Sequence, residues 1–227
     1  SWGYIYKGVE HMLRAIDVAK WFVNNNCDNP RDTYDGNMKL QKLIYFSQLI
    51  HLARTGDVLF EDPICAFANG SVIEDVRLYY KNNIKGLINE AMQLGDFSEN
   101  EVITLQITEA IFCNLSAKEL SELNHLHESW KIAYNRSLIN GIPQKHLSEI
   151  RISDIEEYDL GNIRDTIKAY ELGMDLRHFE VINGNRFYYN PTEITLTEQM
   201  ILELEEFEGT DGSYVIYQDQ YLGLVIV

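Results

Sequence analysis

Apolar positions along most of the chain recur at the spacing of a helix. Between residues 13 and 25 one stripe of apolar side chains is repeated every three or four positions, and residues 38–55 continue the pattern. The same periodicity extends over 72–82, 84–94, 98–114, 116–139 and 162–173. This pattern predicts a body built from helices.

Capping residues mark the beginnings of several of these helices. Ser98 is followed at the third position by Glu101, and Ser116 is followed in the same way by Glu119. Both pairs have the form of a capping box. Asn37 precedes the apolar pattern of 38–55, so we expect it to be the N-cap of that helix.

The pattern changes character after residue 173. Residues 179–182 and 186–189 flank Asn183-Gly184, which predicts a β-hairpin. An acidic helix is predicted over 196–207, and a second hairpin over 214–227. Its last strand is too apolar for an open edge, so we expect it to be paired or covered. The extension could also close onto a short extended piece, Ile64 to Ala68, to make one continuous sheet.

These elements predict an α+β fold, with a helix-dominated body, short β-hairpins and a β-rich C-terminal extension. We assign the helical domain to residues 12–173 and the extension to 174–227. His11-Met12 resembles what a cloning site leaves before a native start. Residues 1–11 are therefore interpreted as vector-derived or disordered, and the alternative is a native arm rich in Trp and Tyr.

The net charge limits the classes of partner, and the cysteine content indicates the cellular compartment. The chain has 227 residues and a net charge of −16, which disfavours direct binding to nucleic acid or to an anionic membrane. No run of 18 apolar residues exists, so no membrane-spanning helix is expected. Three separated cysteines without a CxxC pair indicate buried thiols in a reducing compartment, and hence a cytoplasmic protein.

The sequence offers no positive argument for an enzyme. It has no phosphate-binding loop, dinucleotide fingerprint, nucleophile elbow or zinc-protease motif. His125 and His127 are two positions apart and would diverge on a helix, so we expect no shared metal ion. Adjacent carboxylates are common in so acidic a chain and do not converge on one face. We therefore expect no catalytic residue, metal or cofactor.

Two segments stand out from this background. Lys39 and Lys42 flank Gln41 within an apolar helix, where the lysine stems either lie over the core or pair with an acid, in the fold or on a partner. Residues 66–72 place an aromatic residue before Asn69-Gly70, which is typical of a tight turn that closes a short hairpin.

Together these segments resemble a known family. The run Met38-Lys39-Leu40-Gln41-Lys42-Leu43-Ile44-Tyr45-Phe46-Ser47-Gln48 is similar to the signature of the Panacea domain, also called the SocA-like antitoxin domain. The resemblance continues in His51-Leu52-Ala53, Leu59 to Ile64, Ala66 to Val72 and Leu120 to Trp130, and covers about residues 13–172. Ser71 and Ser129 stand where the family usually has proline.

The resemblance implies an antitoxin of a bacterial or prophage toxin–antitoxin pair, which neutralises its cognate toxin by direct protein binding and needs no cofactor. One alternative is an adaptor that delivers a toxin to a ClpXP-type protease. Another is an acidic phage-encoded inhibitor of a host nucleic-acid enzyme. The extension 174–227 departs from the shared pattern, so we expect it to determine partner identity. The partner-binding candidates are Lys39, Gln41, Lys42, Tyr45, Phe67, Asn69 and Gly70, of which Tyr45 and Phe67 could equally be core residues.

Overall fold

A computed structural model describes residues 12–171, 178–209 and 212–227. The interpretation of residues 1–11 lies outside these described residues. The α+β fold class is confirmed, because helices dominate and the strands are short. The helices are α1 (Ala15–Asn24), α2 (Tyr34–Thr55), α3 (Glu74–Ala91), α4 (Glu99–Phe112), α5 (Ala117–Leu126), α6 (Glu128–Ser137), α7 (Glu157–Glu171) and α8 (Glu198–Glu205). No helix in these described ranges is both long and apolar enough to cross a bilayer.

Helix α2 is the centre of the body. Every residue from 39 to 51 is buried, because α1, α3, α4, α5 and α7 all pack around it. A helix surrounded on all sides has no solvated face, which explains why polar residues of the signature lie inside the protein.

The beginning of α2 differs from the prediction. The N-cap is Thr33, whose hydroxyl accepts a hydrogen bond from Gly36 N at 3.0 Å, and not Asn37. The first turn packs so tightly against the preceding loop that a Cβ on Gly36 would lie 2.5 Å from the carbonyl oxygen of Asp28. A glycine inside the first turn, which the helix pattern does not reveal, allows this earlier start.

The predicted capping boxes at Ser98 and Ser116 are confirmed. The predicted helix over 116–139 is instead divided into α5 and α6, because His127 adopts an extended conformation. Asp159 in α7 caps the second piece by accepting hydrogen bonds from Glu128 N and Ser129 N, each at 2.9 Å. In contrast, the segments 72–82 and 84–94 join into α3, with a local kink at Asn83.

The strands of the described residues form three sheets. The pairs β1 (Cys65–Phe67) with β2 (Gly70–Val72) and β3 (Leu138–Ile139) with β4 (Ile142–Pro143) are small hairpins. The strands β5 (Phe179–Ile182), β6 (Asn185–Tyr188), β7 (Ser213–Asp219) and β8 (Gly223–Ile226) form one sheet in that order. Both predicted C-terminal hairpins are confirmed, and β8 is paired with β7 as expected.

The parallel pairing of β6 with β7 was not predicted. It joins the two hairpins into a mixed sheet through α8. The alternative in which the extension closes onto Ile64 to Ala68 is wrong, because β1 pairs with β2 and its Cys65 forms a bridge with Glu149.

The C-terminal sheet packs against helices on both faces. Tyr188 and Val215 join the main core, where β7 meets α7. Their neighbours Phe187 and Ile216 point to the other face and pack with Leu204 of α8. Side chains alternate between the faces of a strand, so two adjacent residues on each strand belong to two different cores.

The cysteine prediction is wrong for two of the three residues. Cys27 and Cys113 form a disulfide that joins the segments after α1 and α4, whereas Cys65 is free. Structural disulfides are rare in reducing compartments. The cysteines therefore no longer support the predicted cytoplasmic location.

Candidate functional site

Some of the site residues predicted from the sequence line one cavity of about 810 Å³. It lies between the first half of α2, the β1–β2 hairpin, the beginning of α3 and the segment 143–148. Four of the seven candidates line it: Gln41, Lys42, Phe67 and Asn69.

Lys42 forms a buried wall of this cavity. Its side chain is fully buried, and Nζ donates a hydrogen bond to Ser71 O at 2.9 Å. Burial lowers the pKa of Lys42 to about 7, because a low-dielectric environment disfavours the charged ammonium. This lysine therefore differs from a surface lysine in both position and charge.

Gln41 links α2 to the beginning of α3. Its Oε1 accepts a hydrogen bond from Ile73 N at 2.9 Å, and its Nε2 donates to Asn37 Oδ1 at 3.1 Å. Because the side chain is almost completely buried, these bonds replace the ones that water would make. Gln41 and Lys42 thus position the backbone of β2 and of Ile73, the residue that follows it.

Gly70 allows this close approach of the hairpin to α2. Its φ of 96° is in the region that favours glycine, and a Cβ there would lie 2.6 Å from Cε of Lys42 and would overlap Oδ1 of Asn124. The same Asn124 oxygen accepts a hydrogen bond from Ser71 N. The turn predicted at Asn69-Gly70 is confirmed.

We expect Gly70→Ala to lower the free energy of unfolding by about 2 kcal/mol, because it adds both backbone strain and steric overlap. Gly56→Ala is the matched control: Gly56 has a φ of 81°, but no atom lies within 4 Å of the place that its new methyl group would occupy. Chemical denaturation of both variants separates strain from overlap. Equal losses of stability would show that the contacts with Lys42 and Asn124 do not constrain the hairpin.

Tyr45 does not line the cavity. It is fully buried, and its hydroxyl is 2.8 Å from His127 Nδ1 and 3.2 Å from Ser129 Oγ. Burial raises the pKa of Tyr45, and burial lowers the pKa of His127 to about 4. Both groups are therefore neutral near pH 7 and join α2 to α6 as a polar contact inside the core.

The structure does not bring Lys39 and Lys42 into one basic spot. Lys39 is buried elsewhere on α2 and does not line the cavity. Burial lowers its pKa, and the carboxylates of Asp28 and Glu119 oppose this effect. No cluster of three or more potential metal ligands occurs in residues 12–171, 178–209 and 212–227.

The accessible candidates are at the tip of the β1–β2 hairpin. Phe67 is half-buried and Asn69 is exposed, and Asn69 Nδ2 donates a hydrogen bond to the hydroxyl of Tyr34 at 2.8 Å. Trp130 Nε1 holds the hairpin from behind by donating to Phe67 O at 3.0 Å, and Ser121 Oγ donates to Asn69 O at 3.0 Å. The tip is thus both exposed and firmly held.

Sequence reasoning missed several residues that line the cavity. Arg77 and Lys81 are four positions apart on α3, a spacing that places both on one helix face. That signal was available in the sequence. Tyr34 and Lys145 come from loop-adjacent positions whose convergence depends on the tertiary fold.

The comparison with known families connects this geometry to a known domain. Residues 40–131 match the model of the family described as antitoxin SocA-like, Panacea domain. This segment is similar to the Panacea domain. It contains most of α2, the β1–β2 hairpin and the whole of α3 to α5, whereas the cavity wall at 143–148 lies outside it. Neither the curated proteins nor the solved structures contain a match to the chain.

Proposed function

We propose that this protein is an antitoxin that neutralises a cognate toxin by direct protein contact. The observation that carries the proposal is the similarity of residues 40–131 to the antitoxin SocA-like, Panacea domain. The buried signature is consistent with it, because α2 then acts as a scaffold that leaves surrounding surfaces free to differ between partners.

The C-terminal extension is the surface that we assign to toxin recognition. Tyr221 and Leu222, in the β7–β8 turn, are 85% and 77% exposed. Residues 174–227 also carry ten acidic and two basic side chains. Exposed apolar groups surrounded by negative charge favour a basic toxin, through complementarity and faster association.

The first experiment is a growth assay with the open reading frame beside this gene. We expect the neighbouring protein alone to arrest growth, co-expression to restore it, and the two proteins to co-elute in a fixed stoichiometry. Restored growth accompanied by loss of the neighbour from the cell would instead indicate a proteolytic adaptor. A harmless neighbour would contradict the proposed pairing.

Variants of the extension test where the toxin binds. We expect Tyr221→Ser combined with Leu222→Ser to weaken toxin binding by about tenfold or more, because exposed apolar side chains at the centre of an interface contribute most of its affinity. Met92→Ser is the matched control, since Met92 is 72% exposed but lies at the end of α3. Calorimetry measures the toxin affinity of the wild type and of each variant. Unchanged binding by the double variant would rule out this surface.

The hairpin tip provides a second test in the same assay. Phe67→Ala and Asn69→Ala alter accessible groups without removing the hydrogen bonds that the backbone of these residues accepts. If the tip contacts the toxin, we expect each variant to weaken binding while its thermal unfolding stays close to that of the wild type. Full neutralisation by both variants would remove the tip from the interface.

A further inference from the structure

The strand β8 forms one edge of the C-terminal sheet. Within residues 12–171, 178–209 and 212–227 the sheet has the order β5-β6-β7-β8, so β8 has a neighbouring strand on one side only. The other side of an edge strand presents a row of backbone N–H and C=O groups to which a further strand can be added. The pairing with β7 therefore covers only one of the two sides of this apolar strand.

The hydrogen bonds between β7 and β8 determine which backbone groups point outward. Val215 and Val227 exchange both of their backbone hydrogen bonds, at 2.8 and 2.9 Å. In an antiparallel pair, such residues alternate with residues whose backbone groups point away from the partner strand. The register therefore directs the N–H and C=O groups of Leu224 and Ile226 away from β7 and toward the open edge.

This edge lacks the residues that normally prevent open strands from pairing. Residues 222–227 contain neither a charged residue nor a proline, and Val227 is 51% exposed. The opposite edge of the sheet differs, because β5 carries Glu180. Charged side chains and proline are the usual protection of an edge strand against another chain. The sheet is thus protected at β5 and open to a further strand at β8.

A second copy of β8 fits this edge in an antiparallel arrangement. When Leu224 of one copy lies opposite Ile226 of the other, the outward groups of both residues are paired in both copies. Val225 then lies opposite Val225 of the second copy, on a two-fold axis. In the same register Val227 lies opposite Gly223, and no atom is within 4 Å of the place that a Cβ on Gly223 would occupy. The edge is therefore complementary to itself in both hydrogen bonding and shape.

The net charge of −16 opposes self-association, but this arrangement limits the repulsion at the contact. The only acidic residue of the β7–β8 hairpin is Asp219, which lies opposite Gly223 in the register. With strands about 4.8 Å apart and a rise of about 3.4 Å per residue, the Cα atoms of Asp219 in the two copies lie about 20 Å apart. This separation exceeds the Debye length of about 8 Å at physiological ionic strength, so salt screens their repulsion.

We propose that β8 is a dimerisation edge, along which two copies of this chain join their C-terminal sheets into one continuous sheet. The inference goes beyond the proposed antitoxin function and does not depend on it. Pairing through one short strand buries less than the roughly 1,200 Å² of a standard interface, so we expect a reversible dimer with a dissociation constant in the micromolar range. Tyr221 and Leu222, assigned above to toxin recognition, lie in the two turns at opposite ends of the joined sheet.

Sedimentation velocity of the purified full chain, from low to several hundred micromolar, tests the dimer. We expect a monomer–dimer equilibrium that strengthens as salt is raised, because screening weakens the repulsion between two acidic chains. Amide hydrogen exchange should become slower at Leu224 and Ile226 as the protein concentration rises. A monomer at every concentration would overturn the proposal, and so would protection of these amides that requires the toxin, since the edge would then belong to the toxin.

Charge variants at the two-fold axis test the register. Val225→Lys and Val225→Glu each place two like charges directly opposite each other, so each should weaken self-association by about tenfold or more. An equimolar mixture of the two should recover association as a heterodimer, detected by native mass spectrometry. Val181→Lys is the control, because Val181 is 52% exposed on β5 at the other edge. With folding checked by circular dichroism, wild-type association of Val225→Lys, no recovery in the mixture, or loss of association in Val181→Lys would overturn the assignment.

Discussion

Replacing Lys42 with methionine should remove a pH dependence of stability that the wild-type protein shows between about pH 7 and pH 10. The side chain is fully buried, and burial lowers its pKa from 10.5 to about 7. The folded state therefore holds this proton less tightly than the unfolded state does. Stability rises with pH wherever the unfolded state binds more protons, so the free energy of unfolding should increase across this window.

The expected magnitude follows from the pKa difference. Each pH unit within the window changes the contribution of Lys42 by about 1.4 kcal/mol, and the whole shift corresponds to about 4 to 5 kcal/mol. Below pH 7 the full penalty of burying the ammonium is present, and above about pH 10 it is absent. Methionine fills a similar volume and carries no charge, but it loses the hydrogen bond to Ser71 O, which offsets about 1 to 3 kcal/mol of the gain.

The measurement is denaturant unfolding of wild type and Lys42→Met at pH 7, 8 and 9. We expect the stability advantage of the variant to be largest at pH 7 and to shrink with each unit. Lys118→Met, at an exposed position, should differ from wild type by the same amount at every pH. A constant difference between Lys42→Met and wild type would show that Lys42 is not desolvated in solution.

Replacing Asp159 with alanine should lower the free energy of unfolding by about 3 kcal/mol. The carboxylate is completely buried and accepts hydrogen bonds from Glu128 N and Ser129 N, one on each oxygen. Its removal leaves two donors of the first turn of α6 without a partner inside the protein. The effect should extend to Tyr45, because its contact with Ser129 depends on where α6 begins.

Asp219 offers a matched control for this experiment. Its carboxylate accepts hydrogen bonds from two successive backbone N–H groups, of Tyr221 and Leu222, but in an exposed turn where water can replace it. We expect Asp219→Ala to destabilise the protein less than Asp159→Ala does in the same denaturant titration. Equal effects would mean that burial adds nothing to the cap of α6.

Local signals in the sequence predicted the features that depend on neighbouring residues. Helical periodicity located the helices, and the boxes at Ser98 and Ser116 fixed two of their beginnings. Asn183-Gly184 fixed a hairpin because both residues adopt positive φ. Each of these features is determined within a few residues, so a single sequence contains the information.

The features that were missed depend on residues far apart in the chain. The break at His127 requires Asp159, some 30 residues later, to cap α6. The parallel pairing of β6 with β7 crosses α8, and periodicity carries no information about which strands pair. The cavity was missed for the same reason, because its cationic side chains come from α2, from α3 and from Lys145, which meet only in the folded chain.

The candidate site shows why a recognised motif does not by itself identify a contact surface. Sequence similarity pointed to α2 and the hairpin, and the structure places both at the cavity. It also buries Lys39, Gln41, Lys42, Tyr45 and Gly70 and leaves only Phe67 and Asn69 accessible. The sequence pattern did not reveal that these residues are buried. Polar residues at 39, 41 and 42 normally indicate a helix face that is exposed to solvent, and only the tertiary fold shows that other helices cover it.

The bond between Cys27 and Cys113 turns the intervening chain into a covalently closed ring. This ring contains most of the matched segment 40–131, together with the mostly exposed connection 92–98 between α3 and α4. A peptide bond cut within that connection would leave the chain in a single piece until a reductant is added. The ring also includes the beginning of α2, so the covalent unit extends beyond the boundary at which the family resemblance begins.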